Sequence, residues 1–227
     1  MSQVRIEDVS KTYIVGGETL TAVARASLEI EKGEFLSIVG HSGSGKTTLL
    51  SIIGGMLAPT TGRVLFDDQD IYAMSGDGLS EYRGTKVGFM FQFASLLPVL
   101  TVTENLLLPV LFAPDGRRRV QEKEAKAMEL LRMVGLSDKA GSYPAQLSGG
   151  QQRRVAIARA FMNDPALILA DEPTGDLDEE TEAEMMRFFQ AMNREKAVTF
   201  IMVTHNTELA RQAGRRLRMS RGVIEES

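Results

Sequence analysis

A glycine-rich segment with one lysine and two threonines separates a short apolar run from a helix-forming stretch. Residues 40–48 read G-H-S-G-S-G-K-T-T, and the run before them, residues 35–39, reads F-L-S-I-V. Glycines let successive backbone N–H groups turn inward as a nest for an anion, and a helix N-terminus favours negative charge. Lys46 would add a charge for the β- and γ-phosphates, and Thr47 would add a hydroxyl for Mg²⁺. A buried strand, this loop and a helix together predict a nucleoside triphosphate site.

The residues that we assign to phosphate binding extend through the whole loop: Gly40, Ser42, Gly43, Ser44, Gly45, Lys46, Thr47 and Thr48. The alternative is a glycine-rich turn that only joins a strand to a helix. Such a turn does not require the complete G-x-x-x-x-G-K-T pattern, so the pattern favours the nucleotide site.

A second apolar run ends in two carboxylates. Residues 167–170 read L-I-L-A and are followed by Asp171 and Glu172. The carboxyl ends of parallel strands lie where such sheets bind ligands, so both acids are expected near the phosphate loop. Asp171 can hold Mg²⁺ directly or through water, while Glu172 is free to polarise a water aimed at the γ-phosphate. The alternative, two acids in a solvated turn, is disfavoured by the phosphate loop in the same chain.

A third pattern lies between the other two, where residues 147–151 read L-S-G-G-Q. Ser148 and Gln151 have the spacing of a capping box at the start of a helix. Gly149 and Gly150 leave that helix N-terminus bare, so that it can receive an anion. A plain helix cap explains Ser148 and Gln151 but does not require both glycines.

The L-S-G-G-Q string resembles the signature of ATP-binding-cassette (ABC) ATPases, and with the other two patterns the resemblance covers nearly the whole chain. It implies an ATPase that uses ATP and Mg²⁺. It also implies an α/β fold of the P-loop NTPase type: a RecA-like core with a mostly parallel sheet, an N-terminal antiparallel β subdomain and an inserted helical subdomain.

By resemblance, three further residues gain functional assignments. Tyr13 matches the aromatic residue that stacks on adenine. Gln92 matches the metal-contacting glutamine of a flexible loop, and His205 matches the histidine that lies at the γ-phosphate. The implied catalytic residues are Glu172, His205, Lys46 and Gln92. The implied metal ligands are Thr47, Gln92 and Asp171.

The resemblance also implies a second copy of the chain, bound head to tail in an ATP-dependent homodimer. The residues expected to close on the nucleotide of the opposite copy are Ser148, Gly149, Gly150 and Gln151. Asp176 belongs to a loop that looks like the one by which two such domains contact each other. Asp178 in the same loop reads equally well as a helix N-cap, since Glu179 and Glu180 follow it in the first turn.

Three strings narrow the resemblance: F-M-F-Q-F at 89–93, L-L-P-V-L-T-V-T-E-N-L at 96–106 and E-P-T-G at 172–175. They look like the bacterial group that includes lipoprotein-release LolD, macrolide-export MacB and division-associated FtsE. Members of that group transmit force through membrane subunits to periplasmic domains. We therefore expect an integral membrane permease subunit with a large periplasmic domain as partner, and a location at the cytoplasmic face of the inner membrane. The alternative is a regulatory ATPase that controls a periplasmic or division-associated partner without moving solute.

Composition limits the remaining classes of protein. The chain has 227 residues, 43% of them hydrophobic, with no cysteine and a formal net charge of −4. This length suits one sizeable domain, so we assign residues 1–227 to a single ATP-binding domain with a helical insertion at about 95–160. The acidic balance disfavours a protein that coats nucleic acid, and we expect no nucleic-acid partner. Without cysteine, disulfides and thiolate metal sites are impossible.

Three other classes are disfavoured by the sequence: membrane-spanning proteins, secreted proteins and soluble ATPases that act on nucleic acid or ribosomes. The longest strongly apolar stretch, residues 106–113, is far below the roughly 18 residues that span a bilayer, so a membrane role is expected to come through a partner. The N-terminus has no secretory pattern. A soluble ATPase acting on nucleic acid is disfavoured by the resemblance, because DNA-repair relatives carry a long coiled coil between the phosphate loop and the signature. Here only about 100 residues (147 − 46), without sustained heptads, separate Lys46 from Leu147. Relatives that act on ribosomes usually carry two cassettes in one chain, whereas this sequence shows one.

The elements that must position these residues alternate between strands and helices. The predicted strands lie at 4–9, 23–30, 35–39, 63–66, 87–91, 167–170 and 198–203, and around 217 and 223. Apolar residues at 127, 130, 131 and 134 predict an amphipathic helix, and another helix is predicted at about 179–193. Alternating strands and helices imply a largely parallel sheet that is covered on both faces.

Overall fold

The computed structural model describes residues 2–113, 116–175 and 177–226. Its strands are β1 (Ser2–Val15), β2 (Glu18–Glu31), β3 (Phe35–Val39), β4 (Thr61–Phe66), β5 (Gln69–Asp70), β6 (Val87–Met90), β7 (Leu167–Asp171), β8 (Thr199–Thr204), β9 (Arg215–Ser220) and β10 (Val223–Glu226). Its α-helices are α1 (Lys46–Ile53), α2 (Gly76–Glu81), α3 (Val102–Leu111), α4 (Gly116–Met133), α5 (Gly149–Ala160), α6 (Glu179–Lys196) and α7 (Thr207–Ala210).

The larger sheet has six strands in the order β10-β9-β3-β8-β7-β6. Its strands run parallel except for β10, which is antiparallel to β9. Val39 at the end of β3 is in register with Thr204 of β8, and Val203 of β8 is in register with Asp171 of β7. The carboxyl ends of these three strands therefore meet at one edge of the sheet, as the alternating pattern predicts.

The smaller sheet is antiparallel and has the strand order β2-β1-β4-β5. The strands β1 and β2 form a long hairpin that pairs Ser2 with Glu31 at one end and Val15 with Glu18 at the other. Both strands extend well beyond the predicted segments. The N-terminal antiparallel sheet that the family resemblance implies is thus present.

Two apolar cores lie on opposite faces of the larger sheet, because successive side chains of a strand point to opposite faces. In β7, Ile168 and Ala170 belong to the core that includes α3, α4, α5 and α6. Leu167 and Leu169 belong to the other core, formed by α1 and the smaller sheet. No described helix has the length and apolar character that a membrane crossing requires.

Candidate functional site

The phosphate loop, residues 40–48, passes from the end of β3 into α1 and encloses its own lysine. The Lys46 Nζ donates hydrogen bonds to the carbonyl oxygens of Gly40 and His41, at 2.7 Å and 2.9 Å. Lys46 is buried, and this burial lowers the pKa of its ammonium, against the opposing effect of the charges of Glu172 and Asp171. The ammonium is therefore held at the centre of the loop by neutral backbone oxygens, which phosphate oxygens can replace.

The strands β2 and β9 lie so close to the phosphate loop that two of its positions can accommodate only glycine. Gly45 has φ 103°, and a Cβ there would lie 2.1 Å from the carbonyl oxygen of Ala22 in β2. A Cβ on Gly40 would lie 2.3 Å from the carbonyl oxygen of Met219 in β9. Any larger residue at either position would displace the loop or the strand beside it.

The turn between β9 and β10 also bonds directly to the phosphate loop. The backbone N–H of Gly222 donates to the carbonyl oxygen of Ser44 at 2.9 Å. The Gly222 carbonyl in turn accepts from the backbone N–H of Ala24 in β2, also at 2.9 Å. This terminal hairpin, residues 215–226, therefore bridges the loop and the smaller sheet.

A hydroxyl and a carboxylate from two different elements meet beside the loop. The Thr47 Oγ1 donates to Asp171 Oδ2 at 2.8 Å. Burial raises the pKa of the Asp171 carboxyl, the Thr47 hydrogen bond lowers it, and the charge of Glu172 raises it further. Both groups offer oxygen ligands of the kind that Mg²⁺ prefers.

Glu172 follows Asp171 at the end of β7 and is held by the segment that follows β8. Its Oε1 accepts from the backbone N–H of His205 at 2.7 Å and lies 2.7 Å from His205 Nδ1. Its Oε2 accepts from the Thr204 hydroxyl at 2.9 Å. These three contacts fix the carboxylate in position. The backbone of Glu172 has φ 46°, a left-handed conformation that is costly for a residue with a side chain.

These groups line one open cleft of about 580 Å³, here called the nucleotide cleft. Its lining residues are Ala22, His41, Ser42, Gly43, Ser44, Gly45, Lys46, Thr47, Thr48, Gln92, Asp171, Glu172 and His205. Gln92 enters from the segment after β6, and its side chain is exposed. The structure thus brings the phosphate loop, Gln92, both acids and His205 together, as the sequence predicts.

Tyr13 is not among the residues that line the nucleotide cleft as described. It lies on β1, opposite Leu20 of β2, and is 37% exposed. Ala22, two residues along from Leu20, does line the cleft. The Lys11 Nζ lies 5.4 Å from the centre of the Tyr13 ring. The ring is therefore accessible beside the cleft, with one cation already close to it.

The signature turn, residues 148–150, forms the N-terminus of α5 and lies apart from the nucleotide cleft lining. The Ser148 Oγ accepts from the Gln151 backbone N–H at 3.2 Å, and the Gln151 side chain accepts from the Ser148 backbone N–H at 2.9 Å. The predicted capping box is confirmed. Its first turn contains no acidic residue, so the helix N-terminus stays favourable for an anion.

The loop before α6 contains Asp176 and Asp178, and the structure describes only the second of them. Asp176 lies outside the described residues. Asp178 is the N-cap of α6, since its Oδ1 accepts from the Thr181 backbone N–H at 2.9 Å. The structural interpretation of Asp178 as an N-cap is therefore confirmed.

Sequence reasoning missed three polar side chains that shape the site. The sequence analysis assigns no role to Thr204, yet its hydroxyl donates to the Glu172 carboxylate. Asn105 is fully buried and bonds the backbone of Leu97 through both its amide oxygen and its amide nitrogen, at 2.8 Å and 3.1 Å. Arg153 is 3% exposed and donates to backbone carbonyls around Glu172. For Thr204, a polar residue directly after an apolar run was the available signal, whereas no local pattern marks Asn105 or Arg153.

Comparison with known proteins adds independent evidence. A family model described as "ABC transporter" matches residues 23–175. The lipoprotein-releasing system ATP-binding protein LolD of Myxococcus xanthus is 40% identical over the full length of both chains. The macrolide export ATP-binding/permease protein MacB of Syntrophobacter fumaroxidans is 43% identical over 99% of this chain, which spans only 31% of that relative.

A solved structure agrees with the whole described architecture. It is the ATP-binding cassette MJ0796, described as a dimer in a post-hydrolysis state bound to ADP and Pi. The TM-score is 0.92, with 41% identity and 98% of each chain covered. MJ0796 comes from Methanocaldococcus jannaschii. This chain therefore belongs to the ABC transporter family, in which it is an ATP-hydrolysing, nucleotide-binding subunit.

Proposed function

We propose that two copies of the chain hydrolyse ATP between them and thereby drive an integral membrane subunit. The observation that carries this proposal is the separation of two anion-binding features on one chain. The nucleotide cleft contains Lys46 and Glu172, whereas the signature turn forms a separate, largely exposed helix N-terminus. A second copy, placed head to tail, supplies the turn that each cleft lacks. The dimeric state described for MJ0796 supports this arrangement.

The proposed chemistry is an attack by water on the γ-phosphorus of ATP. Glu172 takes a proton from that water as the new P–O bond forms, and the bond to the bridging oxygen breaks to leave ADP and phosphate. Lys46 exchanges the carbonyls of Gly40 and His41 for phosphate oxygens and stabilises the charge that develops there. His205, which contacts Glu172, donates to the γ-phosphate. Tyr13 stacks on the adenine.

The donors beside the phosphate loop fit a magnesium ion. Thr47 and Asp171 present oxygen atoms 2.8 Å apart, and Gln92 adds an amide oxygen in the same cleft. Within the described residues, no group of three or more His, Asp or Glu side chains could hold a metal ion. We propose that phosphate oxygens would complete the coordination, and that the ion would neutralise part of their charge.

The head-to-tail arrangement can be tested by mixing two inactive variants. Lys46→Ala removes the phosphate charge from the nucleotide cleft, and Ser148→Arg obstructs the signature turn. A heterodimer of the two contains one intact composite site, formed by the cleft of one copy and the turn of the other. A 1:1 mixture should regain about a quarter of the parental turnover, because half of the dimers are mixed and each has one of two sites.

The control is each variant alone at the same total concentration, which should remain inactive. If the mixture also remains inactive while both variants bind partners normally, the signature turn does not act across the dimer. Equal activity of Ser148→Arg alone and the parent would remove the turn from the proposal altogether.

A groove next to Gln92 is suited to the proposed membrane subunit. This partner groove has a volume of about 500 Å³ and includes Phe89, Phe91, Leu108 and Phe112. Arg83 and Arg159 line it as well. Phe112 is 80% exposed, and the Phe89 and Phe91 rings stack with centroids 5.4 Å apart. An exposed apolar groove with two arginines fits a short helix that has an apolar face and acidic residues.

The names of two relatives support a membrane protein as the source of that helix. MacB of S. fumaroxidans is named an ATP-binding/permease protein, and this chain spans 31% of it. LolD of M. xanthus is named the ATP-binding protein of a lipoprotein-releasing system. We therefore assign the occupant to the cytoplasmic side of an integral membrane permease subunit with a large periplasmic domain. The chain would act at the cytoplasmic face of the inner membrane through that contact.

The segment between Gln92 and α3 should contribute to this surface. Phe93, Leu97 and Val99 are 74%, 46% and 77% exposed, whereas Leu96 packs against the core formed with α3, α4 and α5. Leu97→Glu should spare ATP binding by the isolated chain but reduce assembly with the membrane subunit and its stimulation of turnover. Co-purification and turnover in membranes would measure both effects.

Met133→Glu is the matched control, since Met133 is 44% exposed at the end of α4, outside the partner groove. If Leu97→Glu assembles and is stimulated like Met133→Glu, the coupling surface lies elsewhere.

A further inference from the structure

Arg153 is a buried arginine, 3% exposed, in the first half of α5. Its guanidinium leaves the helix and donates to the backbone carbonyls of two other segments. The Nε donates to the Pro173 carbonyl at 2.7 Å, and Nη2 donates to the carbonyls of Glu172 and, at 3.4 Å, Asp171. The Nη1 donates to the carbonyl of Phe91.

These acceptors belong to two of the segments that line the nucleotide cleft. Phe91 directly precedes Gln92, and residues 171–173 include Glu172. One planar guanidinium with five donors can serve all four of these carbonyls at once, whereas an amide has two donors and a hydroxyl has one. Arg153 therefore ties the backbone of the Gln92 loop to the backbone that presents the Glu172 carboxylate.

The backbone of Glu172 needs such support. Its φ of 46° lies in the left-handed region, which persists only where surrounding contacts hold it. Hydrogen bonds from a charged donor are stronger than neutral ones, especially in a buried setting. Arg153 holds the main chain of Glu172, while Thr204 and His205 hold its carboxylate.

Arg153 lies only five residues after Ser148, on the helix that begins at the signature turn. A rigid helix carries any displacement of its first turn to the residues one turn further along. A force applied to the signature turn thus reaches the Gln92 loop and the Glu172 backbone through one side chain.

We propose that Arg153 is a positioning residue that couples the signature turn to the catalytic carboxylate and to the Gln92 loop. The proposal rests on the function proposed above, in which Glu172 activates water and the signature turn closes on nucleotide. It assigns Arg153 a role through the main chain, because its Nε, Nη1 and Nη2 atoms donate to the backbone carbonyls of Pro173, Phe91, Glu172 and Asp171.

The first test separates binding from turnover. Arg153→Met retains much of the side-chain volume but removes the donors, and its kcat at saturating ATP should fall about tenfold or more. Its KM for ATP should change by less than about threefold, because Lys46 and the phosphate loop keep their contacts. Arg153→Lys retains the charge and up to three donors, so it should recover part of the lost kcat.

The neighbouring arginine provides the matched control. Arg154 lies on the same helix, but its Nη1 donates to the Val134 carbonyl at 3.1 Å, at the end of α4 and away from the nucleotide cleft. Arg154→Met removes an equal charge and a hydrogen bond to a backbone carbonyl from the same helix. Its kcat should stay within about twofold of the parental value.

The second test follows the loop directly. The chain contains no tryptophan, so Phe93→Trp places a single fluorescent reporter one residue after Gln92. In a Glu172→Gln background, ATP binding should change the fluorescence of that reporter. With Arg153→Met or Arg153→Lys added, ATP should still bind, and the fluorescence change should be lost with Met and reduced with Lys.

The outcomes distinguish the possible failures. Equal kcat in Arg153→Met, Arg154→Met and the parent overturns the coupling role. Equal losses of kcat and of melting temperature in Arg153→Met and Arg154→Met also overturn it, because they indicate a general effect on α5. If Arg153→Met does not fold, the test uses Arg153→Lys and a folded Arg153→Gln instead. The coupling role is overturned if both variants keep the parental kcat and the parental fluorescence change. If Glu172→Gln itself turns over ATP like the parent, the proposed function fails first.

Discussion

Replacing Glu172 by glutamine should separate the chemistry of the site from its architecture. The substitution removes one negative charge but preserves the size and the shape of the side chain. The amide oxygen can still accept from the His205 backbone N–H and ring, in place of Oε1. The amide nitrogen can donate to the Thr204 hydroxyl, which then acts as the acceptor. All three contacts therefore survive in neutral form.

The expected cost to the catalytic barrier is about three to five times the expected cost to folding. Weakening the hydrogen bonds to a charged acceptor should cost about 1 kcal/mol of folding free energy, because the same partners remain paired. For a chain of this size that is a fall in melting temperature of about 2–4 °C. The left-handed backbone of residue 172 costs the same with either side chain, so this cost cancels when the folding free energies of Glu172→Gln and the parent are compared. Loss of a general base slows a reaction by about 10²–10⁴, or about 3–5 kcal/mol in the barrier.

The assay is phosphate release at saturating ATP, combined with ATP binding and size-exclusion chromatography. Glu172→Gln should bind ATP like the parent, turn over at least about a hundredfold more slowly and accumulate as an ATP-bound dimer. Glu180→Gln is the control, since Glu180 lies exposed in the first turn of α6. Equal turnover of Glu172→Gln and the parent, at matched dimer concentration, would refute the assignment of Glu172 as the base.

Three further predictions concern neighbouring residues. Tyr13→Ala should weaken ATP binding while Tyr13→Phe should not, because stacking needs only the ring face; equally poor binding by both would implicate the hydroxyl. His205→Ala should lower kcat through loss of a donor to the γ-phosphate, and an unchanged kcat would leave His205 a structural neighbour of Glu172. Asp171→Asn should raise the melting temperature of the nucleotide-free protein at pH 7, because burial raises the pKa of Asp171 and makes its ionised form a cost to folding. That advantage should disappear as the pH falls towards and below the ordinary value of 3.8, where Asp171 is protonated in both states; an advantage independent of pH would contradict this explanation.

The sequence predicted those parts of the site whose geometry is set locally or by simple strand order. The phosphate loop lies between β3 and α1 as expected, because an apolar strand, a glycine-rich loop and a helix are read along one continuous segment. Asp171 and Glu172 come next to that loop because parallel strands place their carboxyl ends at one edge. Ser148 and Gln151 form their capping box from a spacing of three residues.

The parts that were missed depend on contacts between distant segments. Arg153 and Asn105 bond backbone atoms that no local pattern identifies. The helix α3 was predicted only as part of a helical region, because Pro109 lies inside it. The string at 96–106 does not distinguish its first two leucines, but tertiary packing turns Leu96 towards the core and leaves Leu97 exposed. The hairpin of β1 and β2 is longer than predicted because its outer residues are exposed and lack a clear alternation.

The bond between the terminal hairpin and the phosphate loop has a consequence for synthesis of the chain on the ribosome. Residues 40–48 emerge early, but their neighbours Met219 and Gly222 are added some 170 residues later (219 − 48 = 171). Contacts so distant in sequence form late, since the intervening chain must first be closed into a loop. We expect a nascent chain that still lacks residues 215–226 to bind ATP weakly, even when α1 and the smaller sheet have folded. Stalled ribosome complexes of increasing length, probed with a photoreactive ATP analogue, should gain labelling only once the terminal hairpin has left the exit tunnel.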